Sequence, residues 1–336
     1  MNTMENQTTL ILTRSEIAKL MNFSDYVEAV EQAFTLLASG QILGAGILDI
    51  PGKDGMFHVK GAGIPFEDIL FVAVKVNGNF PENKNRYGLP TIQGAILLCD
   101  GIRGNPLAFL DSTEITIQRT GAATALAARH LARTNSKVAT ICGCGKQGRI
   151  QLIALKHVLP LTQAFAFDQD RTLAEQFSTQ MTKELGIPVH AVRDIAEGTQ
   201  QSDVIVTCTT SRRFFLNKDH VRKGTFVAAV GADSHDKQEI DPELLASSKV
   251  VTDMLDQCAR IGDLHHAIQA KVMTHADVYA QLHEIMSGSK STPRSAEEIV
   301  IFDSTGTAIQ DVAAAAVVYR RAVERGIGKF IDLTGS

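Results

Sequence analysis

Apolar positions divide the chain into two regions with different periods. Near the start, Thr13-x-x-Glu16 has the spacing of a capping box, and after Ser24 the residues Val27, Val30, Phe34 and Leu37 recur at helical spacing up to Gly40. Between 41 and 110 the pattern shortens to β-like runs at 56–59, 70–76 and 92–98, separated by Gly, Pro and Asn. This stretch predicts a mixed α+β region. A helix rich in small residues is predicted over 115–131, its alanines allowing close packing. From Lys137 onward apolar runs at 138–142, 165–167, 189–192, 204–208, 226–230, 250–252 and 299–302 alternate with helical stretches. Repeated βα alternation predicts α/β architecture with a doubly wound parallel sheet. A last helix, 309–325, is apolar on one face and is expected to return to the first lobe. No internal repeat, low-complexity tract or long linker interrupts the pattern.

The run 138–142 stops at Gly143-x-Gly145-x-x-Gly148 and the apolar pattern resumes as Ile150, Ile153 and Leu155, which reads as strand, tight turn and helix. In that context the first glycine permits the sharp turn and the second lets backbone approach a pyrophosphate. The third lets helix and strand pack closely, with the helix N-terminus facing the phosphates. A second strand ends at Asp168, 20 residues beyond Gly148, where a ribose-binding carboxylate belongs. Asp168 can accept from both adenosine ribose hydroxyls and would repel a 2′-phosphate, so NAD(H) is expected. Arg171, close in sequence, keeps NADP(H) open.

At 336 residues the chain suggests two domains. Its 44% hydrophobic and 21% charged residues fit a soluble globular protein, and a net charge of −4 offers no general attraction for nucleic acid or acidic membranes. Residues 1–9 are polar without an apolar signal core, and no apolar stretch approaches a membrane span, so a cytoplasmic location is expected. The odd set Cys99, Cys142, Cys144, Cys208 and Cys258 reads as reduced thiols. Cys142-x-Cys144 falls across strand and glycine turn, where packing explains it better than a metal. His265-His266 are adjacent on a helix, where side chains diverge, so no metal is expected. Ser234-His235-Asp236 reads as a loop, since adjacency in sequence does not create triad geometry.

Four further segments stand out: Lys75-Val76-Asn77 with Gly88-Leu89-Pro90-Thr91-Ile92-Gln93-Gly94; Glu114-Ile115-Thr116 with Arg119-Thr120; Gly231-Ala232-Asp233 with Lys237-Gln238-Glu239-Ile240; and Phe302-Asp303-Ser304-Thr305-Gly306. In this order and at this spacing the chain resembles the ornithine cyclodeaminase/μ-crystallin family over nearly its whole length. The resemblance implies a homodimer. It implies a substrate-binding and dimerisation domain at 1–125 and 309–336, and a Rossmann dinucleotide-binding domain at 126–308. It also implies that Lys75 and Arg119 bind a substrate α-carboxylate, the arginine as a two-pronged fork and the lysine as a point charge. Asp233 would meet the amino or imino nitrogen in proton transfer, forming with Lys75 the candidate catalytic pair, while Ser304 and Gly306 border the nicotinamide. The full candidate cofactor set is Gly143, Gly145, Gln147, Gly148, Asp168, Arg171, Thr207, Ser304 and Gly306.

These residue types suit the chemistry on their own terms. Moving hydride to or from an α-carbon bearing nitrogen needs an anchored carboxylate, a group matched to the nitrogen's changing charge, and a nicotinamide face held nearby. Singly, each has a plainer reading: Lys75 could run out to solvent, Arg119 could pair with Glu114, and Asp233 could cap a turn.

The chain departs from the family in one respect. Several members carry an additional arginine in the early β segment and, in cyclodeaminases, an acidic residue that meets the substrate's terminal ammonium. Here no arginine lies between Arg14 and Arg86, and the stretch reads Phe57-His58-Val59-Lys60. Lys60 would oppose a cationic tail but could help Lys75 and Arg119 hold an anion. The leading expectation is an NAD(P)H-dependent reductase of cyclic imino acids. Ornithine cyclodeaminase, alanine dehydrogenase and a low-turnover nicotinamide-binding protein follow in that order.

Overall fold

The computed structural model describes residues 8–293, 297–333 and 335. Most of the polar segment 1–9 thus lies outside the described residues. The chain forms two compact units, Met1–Arg119 with Thr307–Ser336, and Thr120–Gly306.

The first unit carries β1 (Thr8–Leu12), α1 (Arg14–Leu20), α2 (Phe23–Ala38), β2 (Leu43–Pro51), β3 (Met56–Phe66), β4 (Ile69–Asn79), the one-turn α3 (Asn83–Tyr87), β5 (Ile92–Asp100), β6 (Pro106–Asp111) and the start of α4 (Ser112–Leu131). Thr13 and Glu16 form the capping box of α1, and Asn22 rather than Ser24 opens α2, with its own box to Asp25. β2 to β6 run as an antiparallel meander. β1 joins β6 in parallel, and the C-terminal strand Lys329–Asp332 closes the seven-stranded sheet against β1. The C-terminal helix Ala308–Arg325 packs on β3, β4 and α2. Its buried run from Ala313 to Ala316 brings its backbone close to the sheet, Tyr319 meets Phe71 edge-on, and Arg321 donates two parallel hydrogen bonds to Asp25 of α2 at 2.6 and 2.8 Å.

Among the described residues, one face of this sheet is therefore covered and the other is not. Along β4 the residues Phe71, Ala73, Lys75 and Asn77 point to the buried side, while Val74 and Val76 are exposed. β3 repeats the arrangement with Lys60, Ala62, Ile64 and Phe66 buried, and Lys60 stands directly opposite Lys75. The glycine ending the GLPTIQG segment has a steric role here. A Cβ on Gly94 would lie 2.1 Å from the carbonyl oxygen of Val76 and 2.3 Å from Oδ1 of Asn77. Only a bare backbone can pair so closely with β4.

The second unit is the doubly wound sheet. In chain order it contains β7 (Val138–Cys142), α5 (Lys146–Val158), β8 (Gln163–Phe167), α6 (Arg171–Leu185), β9 (Val189–Ala191), α7 (Ile195–Thr199), β10 (Val204–Thr207), β11 (Arg212–Leu216), β12 (Phe226–Ala229) and β13 (Gln238–Ile240). After these come α8 (Pro242–Ala246), β14 (Lys249–Thr252), α9 (Leu255–Ile261), α10 (Asp263–Gln269), β15 (Ala280–Gln281), α11 (Leu282–Met286) and β16 (Val300–Asp303). Eight strands lie in the order β15-β14-β16-β12-β10-β7-β8-β9, and all are parallel. β10, β12 and β16 are buried throughout, as expected of short apolar runs in a sheet covered on both faces. β11 and β13 form a separate parallel pair. Strand order reverses between β7 and β10, the place where open α/β sheets present a crevice at the carboxyl ends of their strands. Among the described residues no helix is long and apolar enough to cross a membrane.

Candidate active site

In the first unit, Lys75, Arg119 and Lys60 come from β4, α4 and β3, and all are buried. Lys75 does not run out to solvent, nor does Arg119 pair with Glu114, which instead accepts from Gln118 at 2.9 Å. Both cations converge on Asp311 in the first turn of the C-terminal helix. Lys75 Nζ donates to Oδ2 at 2.5 Å and Arg119 Nε to Oδ1 at 3.0 Å. Arg119 also donates through Nη1 to Oε1 of Gln310 at 2.9 Å. Two of the three guanidinium nitrogens are thus engaged by protein, and Nη2 is the one that neither Asp311 nor Gln310 takes. Sequence reasoning missed Asp311 and Gln310.

Electrostatics explain why this cluster is unusual. Burial pushes Lys75 down to about 7; the attraction of Asp311 opposes the fall, and Arg119 and Lys60 add to it. Burial acts to raise Asp311, yet Arg119 and Lys75 together hold its carboxyl below the usual range. The two shifts look contradictory for an ion pair, but Asp311 has two cations to itself while Lys75 shares its one anion with Arg119. A pair and a half of this kind is poor at stabilising a fold and suited to receiving a further anion. An ammonium that titrates near neutrality also suits proton exchange.

In the second unit the glycine turn has the expected steric logic. Gly143 takes φ of +105°, and a Cβ there would lie 2.9 Å from the carbonyl oxygen of Cys208. A Cβ on Gly148 would sit 2.1 Å from the carbonyl oxygen of Gly143, so the third glycine is where helix meets strand. At Gly145 nothing lies within 4 Å. That open position is the one a pyrophosphate would approach, so the turn fits a dinucleotide. Oε1 of Gln147 in the same turn is buried with no hydrogen-bond partner among the described residues. Asp168 accepts from the backbone N–H of Cys144 at 2.8 Å and of Asp170 at 2.9 Å, tying the second strand's end to the glycine turn. Each oxygen keeps acceptor capacity for ribose hydroxyls. Arg171 pairs with Glu175 at 2.7 Å on the surface of α6. Thr207 is buried at the end of β10.

Four buried carboxylates, none of which the sequence reading assigned a role, hold the loops beyond these strands. Glu239 accepts from the N–H and hydroxyl of Thr209, at 2.6 and 2.7 Å, and from the N–H of Gly231 at 2.9 Å, so it joins the loops after β10 and β12. Asp263 receives the N–H groups of Glu239 and Ile240. Asp303 receives those of Leu264 and Asp263. Asp253 shapes the turn containing Ser304 and Gly306, taking the N–H of Gly306 at 2.7 Å and the hydroxyls of Thr305 and Ser304 at 3.1 and 3.3 Å. Burial pushes Asp303 up to about 7, and burial with the nearby Asp303 and Glu239 raises Asp263 well above the carboxylate range.

Asp233 lies in the loop after β12, half-exposed, and Lys237 donates to it at 2.5 Å. In the neighbouring triplet the hydroxyl of Ser234 donates directly to Asp236 at 2.5 Å, bypassing His235. The rings of His265 and His266 do not diverge but meet edge-on, 5.3 Å between centroids, and each has a carbonyl partner: His265 that of Ala259 and His266 that of Lys237, 29 residues away. Among the described residues no cluster of His, Cys, Asp or Glu could hold a metal ion.

An eight-stranded parallel sheet with a glycine-rich first turn, joined to a mixed α+β unit holding a buried cationic cluster, defines a Rossmann-type α/β protein of two units. The sequence profile of the ornithine cyclodeaminase/mu-crystallin family matches residues 7–326, and the chain belongs to that family. It is 38% identical to the alanine dehydrogenase of Archaeoglobus fulgidus over 325 residues, covering 96% of this chain and 98% of the relative. Among solved structures, an archaeal alanine dehydrogenase dimer with bound NAD superposes with a TM-score of 0.92 at 36% identity, covering 97% of this chain and 99% of that one. The Δ1-pyrroline-2-carboxylate reductase of Thermococcus litoralis, in complex with NADH and L-proline, superposes with a TM-score of 0.91 at 34% identity, covering 96% and 100%.

Proposed function

We propose that this chain is an NAD(H)-dependent imino-acid reductase whose substrate is a cyclic ketimine bearing a 2-carboxylate, Δ1-pyrroline-2-carboxylate or its six-membered analogue. It is an oxidoreductase that acts on the C–N unit of imino and amino acids. The observation that carries the reading is the buried Lys75–Asp311–Arg119 cluster, in which two cations share one carboxylate. Such a site calls for an external anion, and the substrate's carboxylate is that anion. Lys75 and Arg119 bind it, with Lys60 alongside, and Asp233 hydrogen-bonds the nitrogen and manages its proton. The glycine turn with Gln147 holds the pyrophosphate, Asp168 the ribose, and Ser304 and Gly306 border the nicotinamide. When bound, the reduced nicotinamide supplies the hydride that turns the C=N carbon into C–H. The Thermococcus litoralis reductase, which holds NADH and L-proline, supports the cyclic substrate.

Alanine dehydrogenase is the second reading, favoured by the Archaeoglobus fulgidus relative. Ornithine cyclodeamination is disfavoured because Lys60 opposes a cationic tail. Nicotinamide absorbance and ammonia release, followed with both cyclic imines, pyruvate plus ammonia, and ornithine, separate the three. The expected result is one NADH consumed per cyclic imine and little ammonia from ornithine. Proline and ammonia formed from ornithine with catalytic NAD⁺ would overturn the proposal, and turnover confined to pyruvate plus ammonia would select alanine dehydrogenase.

A second copy of the chain is the partner we propose. Val74, Leu97 and Phe109 form one row across β4, β5 and β6 on the uncovered face, and they are 38%, 38% and 47% exposed. An apolar row of this kind favours burial against another surface. The five free thiols support a reducing, cytoplasmic setting.

A further inference from the structure

Lys237 has no part in the roles assigned so far, yet its placement is specific. It lies four residues after Asp233 and reaches Oδ1 of that carboxylate at 2.5 Å, with only 13% of the lysine side chain exposed against 42% of the aspartate's. An exposed i,i+4 pair contributes little because two long side chains must be held against their own freedom. Here the lysine's stem is buried and its backbone is fixed on both sides of its Cα. Its backbone N–H donates to the carbonyl of Ser234 at 3.0 Å, and its own carbonyl meets Nε2 of His266 from α10 at 2.8 Å. Burial acts to lower the lysine, but Asp233 first, then Glu239 and Asp236, hold it above its ordinary range. The other charged groups around the pair have their own engagements. Asp236 takes the hydroxyl of Ser234 and pairs with Arg212 of β11, Glu239 is occupied by Thr209 and Gly231, and His235 is exposed.

We infer that Lys237 is the positioning residue for Asp233: it ties one carboxylate oxygen, so orienting the other, and it keeps the group anionic when an iminium nitrogen arrives. The inference rests on the role proposed above for Asp233. An anionic acceptor stabilises the protonated imine, whose carbon is the more electrophilic form. The iminium already carries its proton, so when the carbon gains hydride the C=N π pair becomes the nitrogen lone pair and a neutral secondary amine results. Asp233 and Lys237 finish that step in the protonation states in which they began. The lysine therefore acts through charge and placement.

The test compares Lys237→Met, Lys237→Arg, Lys237→Ala and Asp233→Asn in the full chain, using whichever imino acid of the substrate panel the wild type turns over fastest. NADH affinity is measured separately by fluorescence. Lys237→Met should lose roughly tenfold or more in kcat, a modest share of what acid–base groups contribute, with NADH affinity within about twofold, the size of effect expected when no contact is lost. Lys237→Arg should retain most of the activity, and ethylammonium should partly restore Lys237→Ala. These two rescues would not follow from a merely structural lysine. If Asp233→Asn is impaired while Lys237→Met keeps wild-type kcat, the inference fails and the role of Asp233 stands. If Arg and Met variants fall alike and ethylammonium restores nothing, the inference also fails. Wild-type turnover in Asp233→Asn would instead remove the role on which it rests.

Discussion

Raising the pH from about 7.5 to about 9 should weaken the binding of a small carboxylate by roughly twenty- to thirtyfold, because Lys75 must be charged to receive it. In the ligand-free protein burial brings this lysine to about 7. A bound carboxylate adds a second anion beside the ammonium, and the lysine returns to a pKa above the working range. Binding above neutrality therefore takes up a proton, and each pH unit adds about 1.4 kcal/mol to its cost. Over this interval the cost rises by about 2 kcal/mol. Asp311 remains ionised throughout, since Arg119 and Lys75 outweigh its burial and keep its pKa below the usual range. Pyrrole-2-carboxylate is a suitable ligand because its ring nitrogen does not titrate here, and its dissociation constant is readable from quenching of nicotinamide fluorescence. Lys75→Arg, which stays charged, should flatten the profile even if its geometry weakens binding at every pH. A flat wild-type profile, or an unchanged slope in Lys75→Arg, would refute the reasoning.

The glycine turn separates steric roles from ligand roles: Gly148→Ala should destabilise the protein by about 1–3 kcal/mol through overpacking against Gly143. Gly145→Ala, whose Cβ meets open space, should cost less stability than Gly148→Ala, about 1 kcal/mol or less from the altered helix cap, yet weaken NADH binding roughly tenfold or more. Asp168→Ser should narrow the preference for NADH over NADPH in titrations of both; tighter NADPH binding by the wild type would overturn the ribose assignment. Leu97→Glu combined with Phe109→Glu should halve the mass measured by sedimentation, because the charges fall in the exposed row of the sheet. An unchanged mass would exclude that face as the dimer contact.

How far the chain could be read from its sequence depended on the range of the interaction. Runs such as 138–142 and 226–230 were readable because a parallel strand covered on both faces is nearly continuously apolar, and β7, with Thr140 its one polar residue, and β12 lie there. β2 escaped notice because it is exposed on both sides and begins with Leu-Gly-Ala-Gly, which carries no alternation. The Thr13–Glu16 capping box was readable because its partners lie three residues apart, whereas the cap of α2 is Asn22, two residues before the Ser24 from which its pattern was read. Asp311 gives no such sign, since its partner Lys75 is 236 residues distant and the surrounding alanines read as ordinary helix. Glu239 stood within a quoted segment, but its work is done on Gly231 and Thr209, whose approach only folding creates.

β4 shows why local pattern and final environment diverged at the most important position. In Phe71-Val72-Ala73-Val74-Lys75-Val76 a reader who assigns sides by polarity turns the lysine to water and the valines inward. The register places Lys75 beside Ile96 and Lys60 on the covered face, while Val74 pairs with Leu97 on the open one. A sheet pays for such an inversion twice, with a buried ammonium and with valines left in water. Asp311 offsets part of the first cost, but it serves Arg119 as well. The remainder is a demand for one more anion on the covered side and for an apolar surface on the other. On the proposed function, substrate binding and self-association both arise from this one alternation, so a variant that exchanges Lys75 for an apolar residue should bind carboxylates poorly while leaving assembly intact. Loss of the dimer in that variant would break the connection.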